Sequence, residues 1–261
     1  MRPSSLTSVA APIATALLLS TALPALAIEA STVSFDHGRE GWTAPRGSGG
    51  RSGIVPGQGN DAPALRTHFD DFGITFANRS NGAFVGDYTS VPALQISLDV
   101  KTLALDFFGS PVTRELIVEL RDHDGAPDGY PYVSVWATLG TLDAGVGGWQ
   151  TWSVTIADTS ATALPAGWGG YGAEDPVTAE PMLPPGRSFA NVLAGVDEIA
   201  FTTLVPGYFY GDTLFDVAVD NIRMQPLAAV PEAPGAALMA AGLLGLAGAA
   251  RLARRRRARI A

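Results

Sequence analysis

Glycine and proline interrupt the central part of this chain so often that long helices are excluded there. Residues 28–226 contain 26 glycines and 14 prolines, and both residue types destabilise the interior of a helix. Between these breaks, apolar and polar residues alternate with a period of two, which is typical of antiparallel strands with one buried face. The alternating segments are 94–101, 115–121, 133–139, 151–156 and 214–219.

Several such strands, joined by turns and without alternating helices, predict two packed antiparallel sheets. We therefore expect an all-β fold, a jelly-roll β-sandwich, over residues 28–226. The chain has 261 residues, of which 47% are hydrophobic, and this is enough apolar material to build a core of that size.

The composition excludes some kinds of site. Cysteine is absent, so disulfides and cysteine-based zinc sites are excluded. Residues 28–226 carry ten basic and 24 acidic side chains, a formal charge of −14. Such a surface attracts cations such as calcium. It is a poor partner for nucleic acid, because affinity there comes mainly from neutralising phosphates. Solubility alone is the alternative reason for the acidity.

The first 27 residues have the features of a secretory signal peptide. Arg2 supplies positive charge, and the apolar stretch 9–19 is too short to span a bilayer easily. Ala25 and Ala27 then fit a small-x-small cleavage site, which predicts Ile28 as the first mature residue. The alternatives are an uncleaved anchor or a poorly ordered tail.

The carboxyl end predicts a membrane helix. Residues 233–250 carry no charge, and 18 residues of helix rise about 27 Å, close to the roughly 30 Å of a hydrocarbon core. Six arginines follow: Arg251, Arg254, Arg255, Arg256, Arg257 and Arg259. Positive residues stay on the cytoplasmic side, so we expect the body outside the inner membrane. The alternative is a buried helix followed by a basic tail that binds nucleic acid.

The tail also carries a short motif. The motif consists of Val230, Pro231, Glu232, Ala233 and Pro234, and it is followed by the apolar helix and the arginines. This order resembles the PEP-CTERM sorting signal of Gram-negative bacteria. The resemblance covers about 30 residues and implies a partner, an exosortase-type processing enzyme. It also implies delivery to the cell surface or to extracellular polysaccharide. The second proline is displaced by one position, which leaves efficient processing open.

The two ends of residues 28–226 carry a second resemblance. The segment from Ser34 to Trp42 and the closing Val219-Asp220-Asn221-Ile222 are similar to galactose-binding-like jelly rolls, which include many carbohydrate-binding modules. In that group a structural calcium commonly sits beside the first and last strands. The resemblance therefore implies calcium at Asp36 and Asp220, with oxygen ligands of the kind calcium prefers. The alternative is that Asp36 starts a turn and Asp220 caps one.

A second metal candidate joins two predicted strands. Asp122, Asp124 and Asp128 surround glycines in the sequence DHDGAPDG, and three carboxylates are suited to calcium. The remaining ligands of an EF-hand loop are missing from this segment. Asp-Gly and Pro-Asp-Gly are also ordinary turn sequences, so a hairpin turn is the alternative.

The stretch 157–196 shows no clear strand, and long connections of this kind are often binding loops. It carries Trp168, Tyr171, Glu174 and Asp175. Aromatic rings cover the C–H faces of sugars while acids accept hydrogen bonds from hydroxyls. We therefore consider these four residues for ligand binding. The alternative is that the aromatic residues cover the ends of the core.

Catalysis has little support in the sequence. His37, His68 and His123 form no metalloprotease pair, and no nucleophile elbow is present. Glu115 and Glu119 stand four apart, roughly 13 Å along a strand, and have the pattern of a solvated face.

We therefore expect an exported, non-catalytic surface or matrix protein that binds calcium and, in addition, polysaccharide. Two alternatives remain: a polysaccharide-active enzyme on the same scaffold, and a purely structural or adhesive matrix protein.

Overall fold

The alternating segments form strands of two antiparallel sheets in the computed structural model, which describes residues 28–61 and 63–228. The first, sheet I, has the strand order β10-β6-β15-β4-β3, with β1 beside β15 and β7 beside β6. Its strands are β1 (Ser31–Val33), β3 (Gly50–Val55), β4 (Ala64–Asp71), β6 (Ala93–Phe107), β7 (Ser110–Pro111), β10 (Gln150–Ile156) and β15 (Thr213–Leu227).

The second, sheet II, has the order β11-β9-β8-β14-β5-β2. Its strands are β2 (Trp42–Thr43), β5 (Thr75–Asn78), β8 (Arg114–Asp122), β9 (Val133–Leu142), β11 (Trp168–Tyr171) and β14 (Glu198–Thr202). Outside the two sheets lie a small hairpin, one short α-helix and a 3₁₀ helix: β12 (Ala173–Glu174) with β13 (Pro181–Met182), α1 (Phe189–Leu193) and Tyr88–Ser90.

The core lies between the sheets, where the apolar residues of both inner faces meet. Leu94, Ile96 and Leu98 of β6 are fully buried, as the alternation predicts. Trp42 of β2 stacks on Phe201 of β14 with ring centroids 5.4 Å apart. The predicted jelly-roll β-sandwich is therefore confirmed, with each of the five alternating segments inside a strand.

The expectation of a strandless connection over 157–196 was wrong. Strand β11, the β12–β13 hairpin and α1 all lie in this stretch. The sequence of β11, Trp-Gly-Gly-Tyr, shows no alternation because its two central residues have no side chain. Glycine is required at Gly170, where an added Cβ would lie 2.7 Å from Leu183.

Among residues 28–61 and 63–228, no helix is long and apolar enough to cross a bilayer. The predicted signal peptide over 1–27, the motif Val230–Pro234 and the predicted membrane helix over 233–250 lie outside the described residues.

Candidate functional site

Outward-facing side chains of sheet II line up in rows across its strands. Tyr171 lies opposite Ser134, Ser134 opposite Arg121, and Arg121 opposite Glu198. Because neighbouring strands are about 4.8 Å apart, this row of four residues extends about 14 Å across the sheet. The next row contains Gly169, Trp136, Glu119 and Ala200.

Glu119 and Arg121 form a buried ion pair on this outer surface. Glu119 is 1% exposed, and Arg121 donates to its Oε2 from Nε at 2.8 Å and from Nη2 at 2.6 Å. The hydroxyl of Ser134 donates to the other oxygen, Oε1, at 2.6 Å. Both oxygens of Glu119 are therefore occupied.

Glu198 extends the network to the neighbouring strand. It is 2% exposed, and its Oε1 accepts from Arg121 Nη1 at 2.7 Å. Its Oε2 accepts from Nε of Arg79 and lies 3.2 Å from His123 Nε2. Two buried carboxylates are thus balanced by two guanidinium groups, one buried and one largely exposed.

These neighbours fix the protonation of Arg121 and Tyr132. Burial works against the charge of Arg121, but the carboxylates of Glu119 and Glu198 outweigh it and raise its pKa above the ordinary value. The guanidinium lies 4.6 Å from the centroid of the Tyr132 ring, a cation–π contact. Burial raises the pKa of Tyr132 as well. At physiological pH, Arg121 is therefore charged and Tyr132 neutral.

Three tyrosines lie against this network. The Tyr171 ring is 5.3 Å from the Tyr130 ring and 5.3 Å from the Tyr132 ring, centroid to centroid. His123 meets the edge of Tyr132 at 5.4 Å. All three tyrosines are half-buried, so part of each remains accessible. We call Tyr130, Tyr132 and Tyr171, together with the ion network beside them, the tyrosine face.

Trp136 packs beside the network because Gly169 makes room for it. A Cβ added at Gly169 would lie 2.3 Å from the indole ring, which is closer than real Cβ contacts come. Trp136 therefore occupies the space above β11 and forms part of the solvent-facing surface, as its parity on β9 predicts.

A cavity of about 530 Å³ continues the tyrosine face toward the opposite edge of sheet II. Glu198 and Arg79 line it, together with Thr43, Arg46 and Leu204 farther along. The polar surface of sheet II therefore reaches from β11 to β2.

The structure separates the four residues predicted to bind a ligand. Tyr171 joins the tyrosine face, but Trp168 lies opposite the buried Ala137 and packs edge-on against Phe189 at 5.1 Å. Three positions separate the two residues, and an odd spacing places them on opposite faces of a strand. Trp168 thus covers the end of the core.

The two acids that follow lie in the small hairpin. Glu174 is exposed in β12. Asp175 Oδ1 accepts from the backbone N–H groups of Val177 and Thr178, and these hydrogen bonds lower its pKa. They are the contacts of a turn-forming aspartate.

Asp122 is the last residue of β8, and Asp124 and Asp128 lie in the connection to β9; of the three only Asp122 is buried. Asp122 accepts from the Asp124 N–H at 2.8 Å and forms an ion pair with Arg187. Burial raises the pKa of Asp122, and the Arg187 charge opposes that increase. In the part of the chain that the structure describes, no three His, Asp or Glu side chains are arranged to hold a metal ion.

Asp220 lies across from Asp99 on sheet I. Asp220 is 1% exposed and accepts from the backbone N–H of Asn60 and of Asn221, at 2.7 and 2.6 Å. Burial, together with the nearby Asp99 charge, raises its pKa. Asp36 is exposed and accepts from the Ser34 hydroxyl at 2.8 Å. Calcium at these residues stays a prediction.

Sequence reasoning missed the central residues of the tyrosine face. Glu119 had the pattern of a solvated face but is buried, while Glu115 is exposed as expected. The available signal was the pair Glu119 and Arg121 on one side of an otherwise apolar strand, since opposite charges two residues apart share a face. Glu198 had no such signal, because its partners come from other strands.

The fold is similar to several solved structures. A family 11 carbohydrate-binding module from Clostridium thermocellum, in complex with a mixed-linked tetrasaccharide, matches with a TM-score of 0.44 and 15% identity over 77% of this chain and 98% of that one. The CBM22-1 xylan-binding domain of a Paenibacillus barcinonensis protein matches with a TM-score of 0.41 and 14% identity, over 79% and 100%.

A Clostridium thermocellum endo-1,4-beta-D-xylanase fragment with CBM22-1 and GH10 modules, complexed with xylohexaose, matches with a TM-score of 0.43 and 13% identity. There the match covers 75% of this chain, which spans only 28% of the other. It spans 24% of an exo-beta-agarase. Comparison with protein-family models and with curated proteins gave no match. The assignment of a function therefore rests on this chain's own side chains.

Proposed function

We propose that this protein binds polysaccharide on the tyrosine face and does not cleave it. The observation that carries the proposal is the cluster of Tyr130, Tyr132 and Tyr171, with ring centroids 5.3 Å apart, beside a charged network. Tyrosine combines an apolar ring, which covers the C–H surface of a sugar, with a hydroxyl that hydrogen-bonds. Sugars present both kinds of surface.

The buried acids position the binding groups instead of contacting the glycan. Glu119 and Glu198 are almost completely buried, so a sugar hydroxyl meets the exposed rings and Arg79 first. The ion network holds Arg121, and Arg121 holds Tyr132. A preformed surface loses less conformational entropy on binding.

The same contacts favour binding over hydrolysis. A glycosidase needs one carboxylic acid and one carboxylate facing each other across the scissile bond. Both oxygens of Glu119 and both of Glu198 are engaged by arginine, histidine or serine. This leaves neither oxygen pair free to attack a sugar or protonate a leaving group.

The binding test uses the full chain, purified in a non-ionic detergent, with xylohexaose and a mixed-linked β-1,3-1,4 tetrasaccharide as first probes. Tyr171→Ala removes the ring that contacts both other tyrosines, and we expect roughly tenfold weaker binding, about 1.4 kcal/mol. Tyr210→Ala is the matched control, since Tyr210 is half-buried and lies beside Arg114 instead.

If Tyr171→Ala and Tyr210→Ala bind the probes with the same affinity as the unchanged chain, the tyrosine face is not the binding site. Release of reducing sugars from either probe would replace binding by catalysis as the function. Absence of binding across a wider glycan panel, combined with self-association, would favour the structural or adhesive alternative.

The cellular context is a further part of the proposal and rests on the sequence. Signal peptide, membrane helix and sorting motif support export, processing by an exosortase-type enzyme, and residence at the cell surface or in extracellular polysaccharide. Fractionation of the native host tests this, because a cytoplasmic protein that retains residues 1–27 would contradict it.

A further inference from the structure

The outer surface of sheet I carries a groove that is separate from the tyrosine face. Two adjoining cavities, of about 470 and 430 Å³, share Gln58 and Arg66 in their walls. One extends to Arg51 and His68 on β3 and β4, and the other to Lys101 on β6. We call this continuous depression the arginine groove. It lies on the opposite side of the sandwich from Tyr171.

The arginine groove is positively charged in an acidic protein. Arg51, Arg66 and Lys101 line it, and Asp216 is its only carboxylate among the described residues. Its formal charge is therefore +2 with His68 neutral, whereas residues 28–226 together carry −14. A local reversal of charge attracts anions that the rest of the surface repels.

One cation is fixed in the groove and two are available. Arg66 forms a bidentate pair with Asp216, at 2.7 and 2.6 Å, and donates to Gln58 Oε1 at 2.8 Å. This pairing holds the pKa of Asp216 below its ordinary value although burial opposes it. The side chains of Arg51 and Lys101, by contrast, have no hydrogen-bond or ion-pair partner in residues 28–61 and 63–228. Their charges are free to meet a ligand.

The groove also has the features that recognise a sugar ring. Trp149 lines the end next to Lys101, and it is half-buried, so one surface of the indole is accessible. Gln58, in the middle of the groove, has an amide N–H₂ group with no partner among the described residues. An aromatic surface in a groove that also carries cations suits a polymer of sugars with carboxylates.

We propose that the arginine groove binds a carboxylate-bearing polysaccharide. Arg51 and Lys101 pair with carboxylates at two points along the polymer, and Trp149 covers a sugar ring next to Lys101. Arg66 and Asp216 form the fixed floor of the groove. The site is independent of the tyrosine face, because the two surfaces belong to different sheets and share no residue.

The test is titration of the full chain, in non-ionic detergent, with polygalacturonate and with the same polymer after reduction of its carboxyl groups. The double variant Arg51→Gln/Lys101→Gln loses two charge-assisted hydrogen bonds, each equivalent to roughly tenfold in affinity. We expect at least tenfold weaker binding of polygalacturonate and no binding of the reduced polymer. Arg46→Gln is the matched control, because Arg46 is exposed in the β2–β3 connection and lines the cavity beside sheet II instead of the groove.

Unchanged affinity in the double variant, or equal affinity for the reduced polymer, would overturn the proposal. If single-stranded DNA and heparin bind as tightly as polygalacturonate, and Trp149→Ala has no effect, the groove is an unselective polyanion surface. This result would also overturn the proposal. Melting temperatures confirm that the variants are folded. Tyr171→Ala should leave polygalacturonate binding intact, so this proposal and the tyrosine-face proposal fail separately.

Discussion

Replacement of Arg121 by methionine tests the ion network of the tyrosine face directly. Methionine keeps most of the side-chain volume but removes the charge that bridges Glu119 and Glu198. Arg121 is itself largely buried, with 11% of its side chain exposed, and it contacts the two carboxylates at 2.6 and 2.7 Å. Water cannot replace it at either carboxylate without opening the site.

The expected cost follows from what each carboxylate retains. Glu198 keeps Arg79 and His123, whereas Glu119 keeps only the hydroxyl of Ser134 among the residues that the structure describes. One buried charge is therefore left uncompensated, and removal of one partner of a buried pair costs about 3–5 kcal/mol. In a protein of this size each kcal/mol lowers the melting temperature by about 2–4 °C, so we expect a decrease of roughly 6–20 °C.

Urea unfolding and calorimetry measure this loss. Arg114→Met is the matched control on the same strand: Arg114 is half-buried but donates to a hydroxyl, that of Thr213, at 2.8 Å. Its replacement should cost only about 1 kcal/mol. Glu119→Gln combined with Arg121→Met should recover most of the stability, because Glu198 keeps Arg79 and His123 and no uncompensated buried charge remains. A cost below about 1 kcal/mol for Arg121→Met, or no recovery in the double variant, refutes the reasoning.

Three further perturbations have defined outcomes. Gly169→Ala places a Cβ against the Trp136 indole and should lower the free energy of unfolding, measured in urea, by about 1–3 kcal/mol. The control is Gly53→Ala, which has open space at the Cβ and should change stability by less than about 0.5 kcal/mol. Equal effects of the two variants would contradict the packing argument. Asp220 has a pKa raised by burial and Asp99, so its ionised form opposes folding. In chelator, Asp220→Asn should therefore stabilise the fold at neutral pH, with the gain disappearing below about pH 3.9, the ordinary aspartate pKa; a gain independent of pH is the contrary result. Calcium at 100 times its dissociation constant should add about 2.7 kcal/mol, abolished by Asp36→Ala or Asp220→Ala; a melting temperature insensitive to chelator argues against the metal.

The strands with one buried face could be predicted from the sequence because their inward positions form one core. Residues 94–100 of β6 and 215–219 of β15 carry apolar residues at every second position, and the structure buries these as expected. Strand β11 could not be predicted, because its two central residues are glycines and show no apolar–polar alternation. Their missing side chains leave the space that Trp136 and Leu183 occupy. That strand depends on neighbours distant in sequence, which a local pattern does not contain.

The candidate site was only partly predictable for a related reason. Tyr171 and the outward parity of Trp136 are local properties, and both could be read from the sequence. Arg121 and Glu198 are 77 positions apart in the sequence. The residues next to Glu198 contain no pattern that predicts this pairing. The register of three strands, rather than any motif, assembles the network.

The two proposed sites also differ in how their charges are balanced, and this difference determines what each can bind. On the tyrosine face the arginines are paired with glutamates, so a neutral polymer meets a surface without excess charge. In the arginine groove Arg51 and Lys101 are unpaired among the described residues, so an anion gains interactions that no internal partner already makes. Because the faces lie on opposite sheets, whose packed distance is about 10 Å, occupation of one does not block the other. The sandwich is therefore suited to holding a neutral and an acidic polysaccharide at the same time.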